Sequence, residues 1–360
     1  DVLAMVSSPG FDPNAFNRGL SGDEWQDLVG NEKSPLTNKT IVGQYAPGST
    51  FKMIAALAGL EKGAITADSH IFCNGKVRLG NATFHCWKKQ GHGSLDVAGA
   101  IAQSCDVFFY ETAKRTGIER IGEMARRFGL GAKLGIDLPG EKPGLVPSDA
   151  WKRAKIGEPW QQGETLISGI GQGFLLATPL QLAVMASRLA NGGVAVTPHL
   201  TRPKAISQST LDTLPAPPKS LGLVPEHLAI VRKAMENVVN EPFGTAYRAR
   251  IKDPELTMAG KTGTVQVRRI SKAERINGVL KNRQLPWKQR DHALFVAFAP
   301  VQAPRYAAAV VVEHGGGGSS VAAPIVRDIL HEAQKRNSAG VGDIRPSASA
   351  STDGDTRRRV

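Results

Sequence analysis

The sequence predicts an α/β (α+β) fold: an antiparallel sheet flanked by helices, with an all-helical subdomain inserted between the sheet-forming parts. Three observations predict it. Apolar, β-prone runs gather at the two ends of the chain, helical patterns broken by Gly or Pro fill the middle, and 41% hydrophobic with 21% charged residues over 360 positions can bury a large core. Disorder throughout, collagen-like repeats and a disulfide-stapled miniprotein are excluded by the same figures.

The chain opens on Asp1-Val2-Leu3-Ala4-Met5-Val6, and Val2–Ser7 reads as a strand already under way, so an upstream segment is expected. Helical patterns follow at Phe51–Lys62, Val97–Thr116, Ile118–Phe128, Leu180–Asn191 and Pro225–Asn240. They place a helical subdomain at roughly 53–245. Strands are expected near Thr257–Val267, at Ala293–Ala299 and at Arg305–Glu313, the last two separated by Pro300 to Pro304 as suits antiparallel neighbours. From Ala322 to Lys335 the apolar residues Ile325, Val326, Ile329 and Leu330 recur at helical spacing, which predicts a helix packing one face. Residues 338–360 are small, polar and aperiodic, a disordered tail, so the folded domain is expected over 1–337. No run approaches the roughly 18 apolar residues that a membrane helix needs.

Lys and Arg number 45 against 32 Asp and Glu, a net charge of +13. The excess is concentrated: between positions 268 and 290, Arg268, Arg269, Lys272, Arg275, Lys281, Arg283, Lys288 and Arg290 stand against Glu274 alone. Two readings are open, a solvated basic loop and an anion- or partner-binding flap, and either is expected to be mobile and to border the substrate groove. Only Trp287 supplies an aromatic ring there, so no nucleic-acid partner is expected.

Three motifs carry chemistry. In Pro47-Gly48-Ser49-Thr50-Phe51-Lys52 a spacing of three puts Ser49 and Lys52 on one helical face, within hydrogen-bond reach. A serine hydroxyl needs a base to take its proton, a lysine of lowered pKa can do so, and the N–H groups at the start of a helix can stabilise an oxyanion. Taken alone, Ser-x-x-Lys recurs by chance in many chains, and a surface serine capping a helix is the commoner explanation. Ser104-Cys105-Asp106 falls in a second helical region and Lys261-Thr262-Gly263-Thr264 on a predicted strand. Ser104 can relay a proton, and Lys261 supplies positive charge. Thr262 and Thr264 offer hydroxyls to a substrate carboxylate, while Gly263 allows close approach to the strand edge.

Ser-x-x-Lys, Ser-Asp-Asn and Lys-Thr-Gly form the set shared by penicillin-binding proteins and class A β-lactamases, a known template matched here in the expected order. Phe11-Asp12-Pro13-Asn14, Tyr45 to Lys52, Trp87 to Gly93, Gly169 to Gly173, Ala177 to Gln181 and Arg290-Asp291-His292-Ala293 extend the match. The chain resembles class B penicillin-binding proteins of the elongation type over nearly all of residues 1–337. The resemblance implies the penicillin-binding transpeptidase or serine β-lactamase-like fold and a D,D-transpeptidase that cross-links peptidoglycan stem peptides and is acylated by β-lactams. It also implies a periplasmic location, with an N-terminal membrane helix and a pedestal absent from these residues. A membrane glycosyltransferase and elongation-complex proteins are the implied partners through that missing part. Carried across, Ser49 is the nucleophile, Lys52 its base, Ser104 and Lys261 the proton-relay side, and the N–H groups of Ser49 and Thr264 the oxyanion hole. The family at large favours Asn where this chain has Asp106, whereas elongation-type members resemble this chain in carrying Asp. An ionised Asp cannot donate to a substrate carbonyl but could pair with Lys52.

The three cysteines and one histidine are spaced Cys73-x12-Cys86-x5-His92-x12-Cys105. Three readings are open: a structural zinc held by these four residues, a Cys73–Cys86 disulfide with Cys105 buried, and unrelated core cysteines. The zinc reading rests on all the thiols and a glycine-flanked histidine collecting beside the motif serine, and some elongation-type relatives resemble this with a metal site in the same region. His85 and His70 are alternative fourth ligands. Four protein ligands leave no open position for hydrolysis, and no cofactor is expected for catalysis. The alternative function is a serine β-lactamase or β-lactam sensor on the same fold, although no Glu-x-x-x-Asn-type omega-loop motif stands between the second and third motifs. A catalytically silent scaffold is a third reading, which the complete motif set argues against. Trp151 and Trp160 are expected to pack a loop, and glycines 315–318 to form a flexible turn.

Overall fold

The computed structural model describes residues 1–201, 219–268, 270–271, 274 and 277–338. The chain starts with three short helices, α1 (Asn14–Arg18), α2 (Gly22–Gly30) and α3 (Lys39–Val42), and the strand expected at Val2–Ser7 does not form. Val2 donates its N–H to His199 O at 2.8 Å, but no ladder follows among the described residues, and Leu3 and Val6 stay exposed. Alternation alone does not make a strand without a partner. A 3-10 turn at Gly48–Phe51 then leads into α4 (Lys52–Glu61). From Lys52 to Leu60 every residue of α4 is buried, as suits a helix that is apolar all round and sits between the helices at Asp106–Thr116, Ile118–Arg127 and Pro225–Asn240.

The inserted stretch is not all-helical. Two small antiparallel pairs lie within it, β1 (Ile71–Cys73) with β4 (Gly93–Leu95) and β2 (Lys76–Leu79) with β3 (Ala82–His85). Strands of three or four residues are too short to show a period in the sequence. The helices that follow are α5 (Val97–Ala102), α6 (Asp106–Thr116), α7 (Ile118–Arg127), α8 (Asp149–Ile156), α9 (Gln162–Gly169), α10 (Pro179–Ala190) and α11 (Pro225–Asn240). The single helix expected over Val97–Thr116 is thus two, broken at Ser104, whose φ of 55° lies in the left-handed region. α10 starts in a capping box, with Thr178 and Gln181 bonding each other's backbone N–H and Pro179 at the first helical position.

The main sheet is antiparallel in the order β5-β6-β7, from β5 (Ala259–Val265), β6 (His292–Ala299) and β7 (Tyr306–Val312). Lys261 pairs with Val296 and Val265 with His292. β6 is central and buried along its length after His292, which explains its unbroken apolar run. α10 packs on β6 and β7, and α11 on β5. The last helix, α12 (Ala323–Ser338), packs on β6 and β7. It buries Val326 and Leu330 but leaves Ile325 and Ile329 exposed, so its apolar stripe is half as wide as the sequence suggested. One continuous core joins the sheet to α4, α6, α7, α10 and α11. The tail expected at 338–360 lies, from residue 339 on, outside the described residues.

Candidate active site

Ser49 sits half-buried in the 3-10 turn that opens α4, and Gly48 before it adopts a φ of 54°. Two close backbone approaches fix this turn. Gly48 N–H donates to Gly171 O at 2.8 Å, and a Cβ on Gly171, itself at φ +74°, would lie 2.0 Å from Gly48 O. On another side the turn packs against β5, where Gly263 meets Thr50 and Pro47. Tyr45 anchors the approach, bridging to Ala177 and donating its hydroxyl to Glu313 Oε1 at 2.9 Å.

Lys52, one turn further on, is fully buried, and its ammonium donates to Ser104 O at 2.8 Å, Ser104 Oγ at 3.2 Å and Asp106 Oδ1 at 2.7 Å. Three donors meet three acceptors, so among the described residues no hydrogen bond joins Lys52 Nζ to Ser49 Oγ. The direct contact expected from the spacing of three is replaced by this pairing. Asp106 is drawn to Lys52, as its charge allowed, and its other oxygen accepts the backbone N–H of Trp87 at 2.9 Å.

Lys261 reaches the same serine from β5. Its Nζ lies 2.9 Å from Ser104 Oγ, 3.1 Å from Thr262 O and 3.5 Å from Thr262 Oγ1, and it is fully buried with neutral acceptors. Burial, with the nearby Lys52 charge, holds its pKa well below the ordinary lysine value. Ser104 Oγ therefore bridges the two lysines, and the break between α5 and α6 puts it there.

Of the expected substrate-binding residues, Thr264 is exposed and its Oγ1 accepts Gly318 N–H at 3.2 Å. Thr262 is buried and its hydroxyl pairs with Thr245 Oγ1 at 2.8 Å, so it supports the strand from inside. β5 is the sheet's edge, and its outer side has no strand partner among the described residues. Glycines 315–318 are not a loose turn, because a Cβ on Gly318 would stand 2.2 Å from Gly263 O. Thr245, Gly171, Gly318 and Trp87 were missed as site residues. The Gly-rich stretches and the aromatic beside Cys86 could have flagged Gly171, Gly318 and Trp87, whereas no sequence signal marks Thr245.

The basic segment is not a free loop throughout. Asn282–Gln284 and Trp287–Gln289 form 3-10 turns. Asn282 bonds Asp291, Arg290 bonds Leu285 O, and Trp287 packs on His314 at 4.5 Å. Arg269, Lys272 and Arg275 lie outside the described residues. Trp151 and Trp160 pack on Phe174, as expected of loop anchors.

The cysteines and His92 converge: Cys73 on β1, Cys86 after β3, His92 before β4 and Cys105 as N-cap of α6 bring their ligand atoms within 4.8 Å of one another. All three cysteines are unbridged, and His70 and His85 stay outside the cluster. The donor set fits zinc. Zn–S of about 2.3 Å and Zn–N of about 2.0 Å in a tetrahedron put sulfur and nitrogen roughly 3.5 Å apart, and Cys73 Sγ and Cys86 Sγ each lie 3.6 Å from His92 Nδ1. Burial lowers the pKa of the His92 ring, and Nδ1, the nitrogen that faces both sulfurs, is the atom placed to ligate, while the buried Nε2 has no hydrogen-bond partner among the described residues. A hydrogen bond from Cys105 holds the Cys86 thiol down at about 5, and the same bond with burial pushes Cys105 up.

A serine on a turn before a buried helix, two buried lysines meeting on a second serine, and a sheet-edge strand supplying one of those lysines define the serine–lysine class of active-site proteins. Residues 1–331 match the penicillin binding protein transpeptidase domain, and the chain belongs to that family. It is 38% identical over 333 residues to the peptidoglycan D,D-transpeptidase MrdA of Salmonella typhimurium, covering 91% of this chain and 53% of that protein. The chain thus spans about half the length of that relative. Among solved structures it resembles Pseudomonas aeruginosa PBP2 in complex with WCK 5153, with a TM-score of 0.79 and 39% identity over 93% of this chain and 71% of that one. It also resembles Helicobacter pylori PBP2 in complex with MreC, with a TM-score of 0.80 and 34% identity over 92% of this chain and 57% of the other.

Proposed function

We propose that residues 1–337 are the catalytic domain of a peptidoglycan D,D-transpeptidase, working through a serine acyl-enzyme and acylated in the same way by β-lactams. The observation that carries this reading is the bridge of Ser104 Oγ between Lys52 Nζ at 3.2 Å and Lys261 Nζ at 2.9 Å. Burial opposes the Lys261 ammonium, and in this proposal Lys261, 2.9 Å from Ser104 Oγ, starts as the neutral amine that can accept a proton. Lys52 passes a proton through Ser104 to Lys261 and becomes a neutral amine. It then takes the Ser49 proton as Oγ attacks the penultimate D-Ala carbonyl of a stem peptide. The N–H groups of Ser49 and Thr264 hold the oxyanion, the terminal D-Ala amine leaves with a proton, and the amine of a second stem takes the acyl group. The stem lies along the open edge of β5, with Thr264 at its carboxylate.

Zinc at Cys73, Cys86, His92 and Cys105 is part of the proposal. It would supply a structural cross-link from the 71–95 region to the start of α6, and no chemistry to the substrate. We extend to this chain a periplasmic location tied to the inner membrane, and partners of the kind in the H. pylori complex with MreC, together with a membrane glycosyltransferase. Nothing in the site favours the β-lactamase alternative. Benzylpenicillin should add one drug mass to the protein, the adduct should last for hours, and Ser49→Ala should abolish it. Prompt return to the unmodified mass would replace this reading with a hydrolase.

A further inference from the structure

Trp87 directly follows Cys86 and is 60% exposed, yet both its N–H groups are committed to the catalytic segment. The backbone N–H donates to Asp106 Oδ2 at 2.9 Å. The indole N–H is shared between Ser104 O at 3.0 Å and Gln103 O at 3.3 Å. The ring stands edge-on to His92, with centroids 5.4 Å apart. These acceptors are also those of Lys52, whose ammonium bonds Ser104 O and the other oxygen of Asp106.

Sharing these acceptors matters because Lys52 cannot keep all its bonds and act as a base. An ammonium has three donors, and a neutral amine has two and a lone pair. When Lys52 turns that lone pair toward Ser49 it must release at least one of Ser104 O, Ser104 Oγ and Asp106 Oδ1. Ser104 is in a left-handed conformation that a serine does not hold unless its surroundings impose it. The backbone bonds of Ser104 N–H to Ile101 O and Cys105 N–H to Ala100 O hold the break from one side, and a donor that does not titrate can hold the Ser104 carbonyl at that moment. The indole N–H of Trp87 is such a donor, as its backbone N–H is for Asp106.

We propose that Trp87 is a positioning residue of the reaction, holding the Ser104 carbonyl and the Asp106 carboxylate in place while Lys52 changes from ammonium to base. This rests on the assignment of Lys52 as base, but the clamp itself can be tested without turnover. In protein labelled with 15N-tryptophan, the indole proton of Trp87, identified by its loss in Trp87→Phe, should exchange with solvent far more slowly than that of an exposed indole. Exchange at the rate of a free indole would overturn the clamp whether or not Ser49 is acylated.

The kinetic test uses the zinc-loaded protein and a fluorescent penicillin, separating the dissociation constant of the first complex from the acylation rate constant. Trp87→Phe keeps an aromatic ring and the backbone N–H and removes the indole donor together with part of the ring's area, and the melting temperature and zinc content report on the latter. It should slow acylation about fivefold, as the loss of one neutral hydrogen bond implies, with an unchanged dissociation constant, melting temperature and zinc content. An unchanged acylation constant in the folded variant would overturn the proposal. So would a loss confined to the dissociation constant, which would make the ring a substrate contact, or a loss that tracks departure of zinc.

Discussion

Asp106 Oδ1 lies 2.7 Å from the Nζ of fully buried Lys52, in an ion pair whose carboxylate keeps its second oxygen for the backbone of Trp87. Both oxygens are acceptors, which gives a physical reason for Asp where the wider family has Asn. An amide offers one acceptor and would turn its NH2 toward either the ammonium or the Trp87 N–H. Asp106→Asn should therefore slow acylation by penicillin roughly tenfold or more, since a hydrogen bond to a charged group contributes about 1.5–3 kcal/mol. Stopped-flow acylation of the folded variant measures this, and wild-type rates would show that the pairing with Lys52 is dispensable.

Gly171 and Gly192 make a matched pair for testing the Ser49 turn. Both have a positive φ, but among the described residues a Cβ on Gly192 would meet nothing within 4 Å, while one on Gly171 would lie 2.0 Å from Gly48 O. Gly192→Ala should cost about 1 kcal/mol from conformation alone. Gly171→Ala must also displace the turn, so it should destabilise by several kcal/mol and abolish acylation. Urea unfolding of the two variants gives the comparison.

Much of the site was legible because its residue types are unusual where they stand: a lysine one turn after a serine in an apolar helix, and a lysine within an apolar strand. Helix and strand positions followed from long apolar periods, as at Pro225–Asn240, which the sequence and the structure bound identically. What was not legible depends on partners remote in sequence. The break at Ser104 is invisible to periodicity because apolar residues continue on both sides of it. The engagement of Lys52 with Ser104 and Asp106 crosses more than fifty residues. The 71–95 strands are too short for a pattern, and Leu3 and Val6 alternate like a strand without a ladder to join.

Lys261 gives the stability of the domain a pH dependence of definite sign. Its pKa is held well below 10.5 in the folded protein by burial and by Lys52, so in between those values the unfolded chain binds more protons than the native one. The cost is complete below the folded value, is relieved as pH rises, and is gone above about 10.5. Wild type should thus gain stability relative to Lys261→Met as pH is raised through the alkaline range, by at most about 1.4 kcal/mol per pH unit. Denaturant melts at a series of pH values check this, and parallel curves would contradict it.

Metal removal should act on Ser104 through two neighbours. Cys105 is the residue after Ser104 and caps α6, its Sγ accepting the Phe108 N–H at 3.5 Å. Cys86 precedes Trp87, whose indole bonds Ser104 O. A cation shared by these thiolates would fix both ends of the segment that holds Ser104, and its binding energy would add to that of folding. Protein purified without chelator should contain about one equivalent of zinc. Stripping it should lower the melting temperature and also slow acylation of Ser49, and Cys105→Ser should do the same, whereas His227→Ala, far from the cluster in sequence, should do neither. A disulfide would give a different pattern: zinc below about a tenth of an equivalent, with Cys73 and Cys86 joined in a non-reducing peptide map. Since Cys73 and Cys86 both face His92 Nδ1 at 3.6 Å as unbridged thiols, oxidation would have to draw the sulfurs together away from that nitrogen. Zinc content and the peptide map therefore move in opposite directions under the two readings, and one preparation measured both ways separates them.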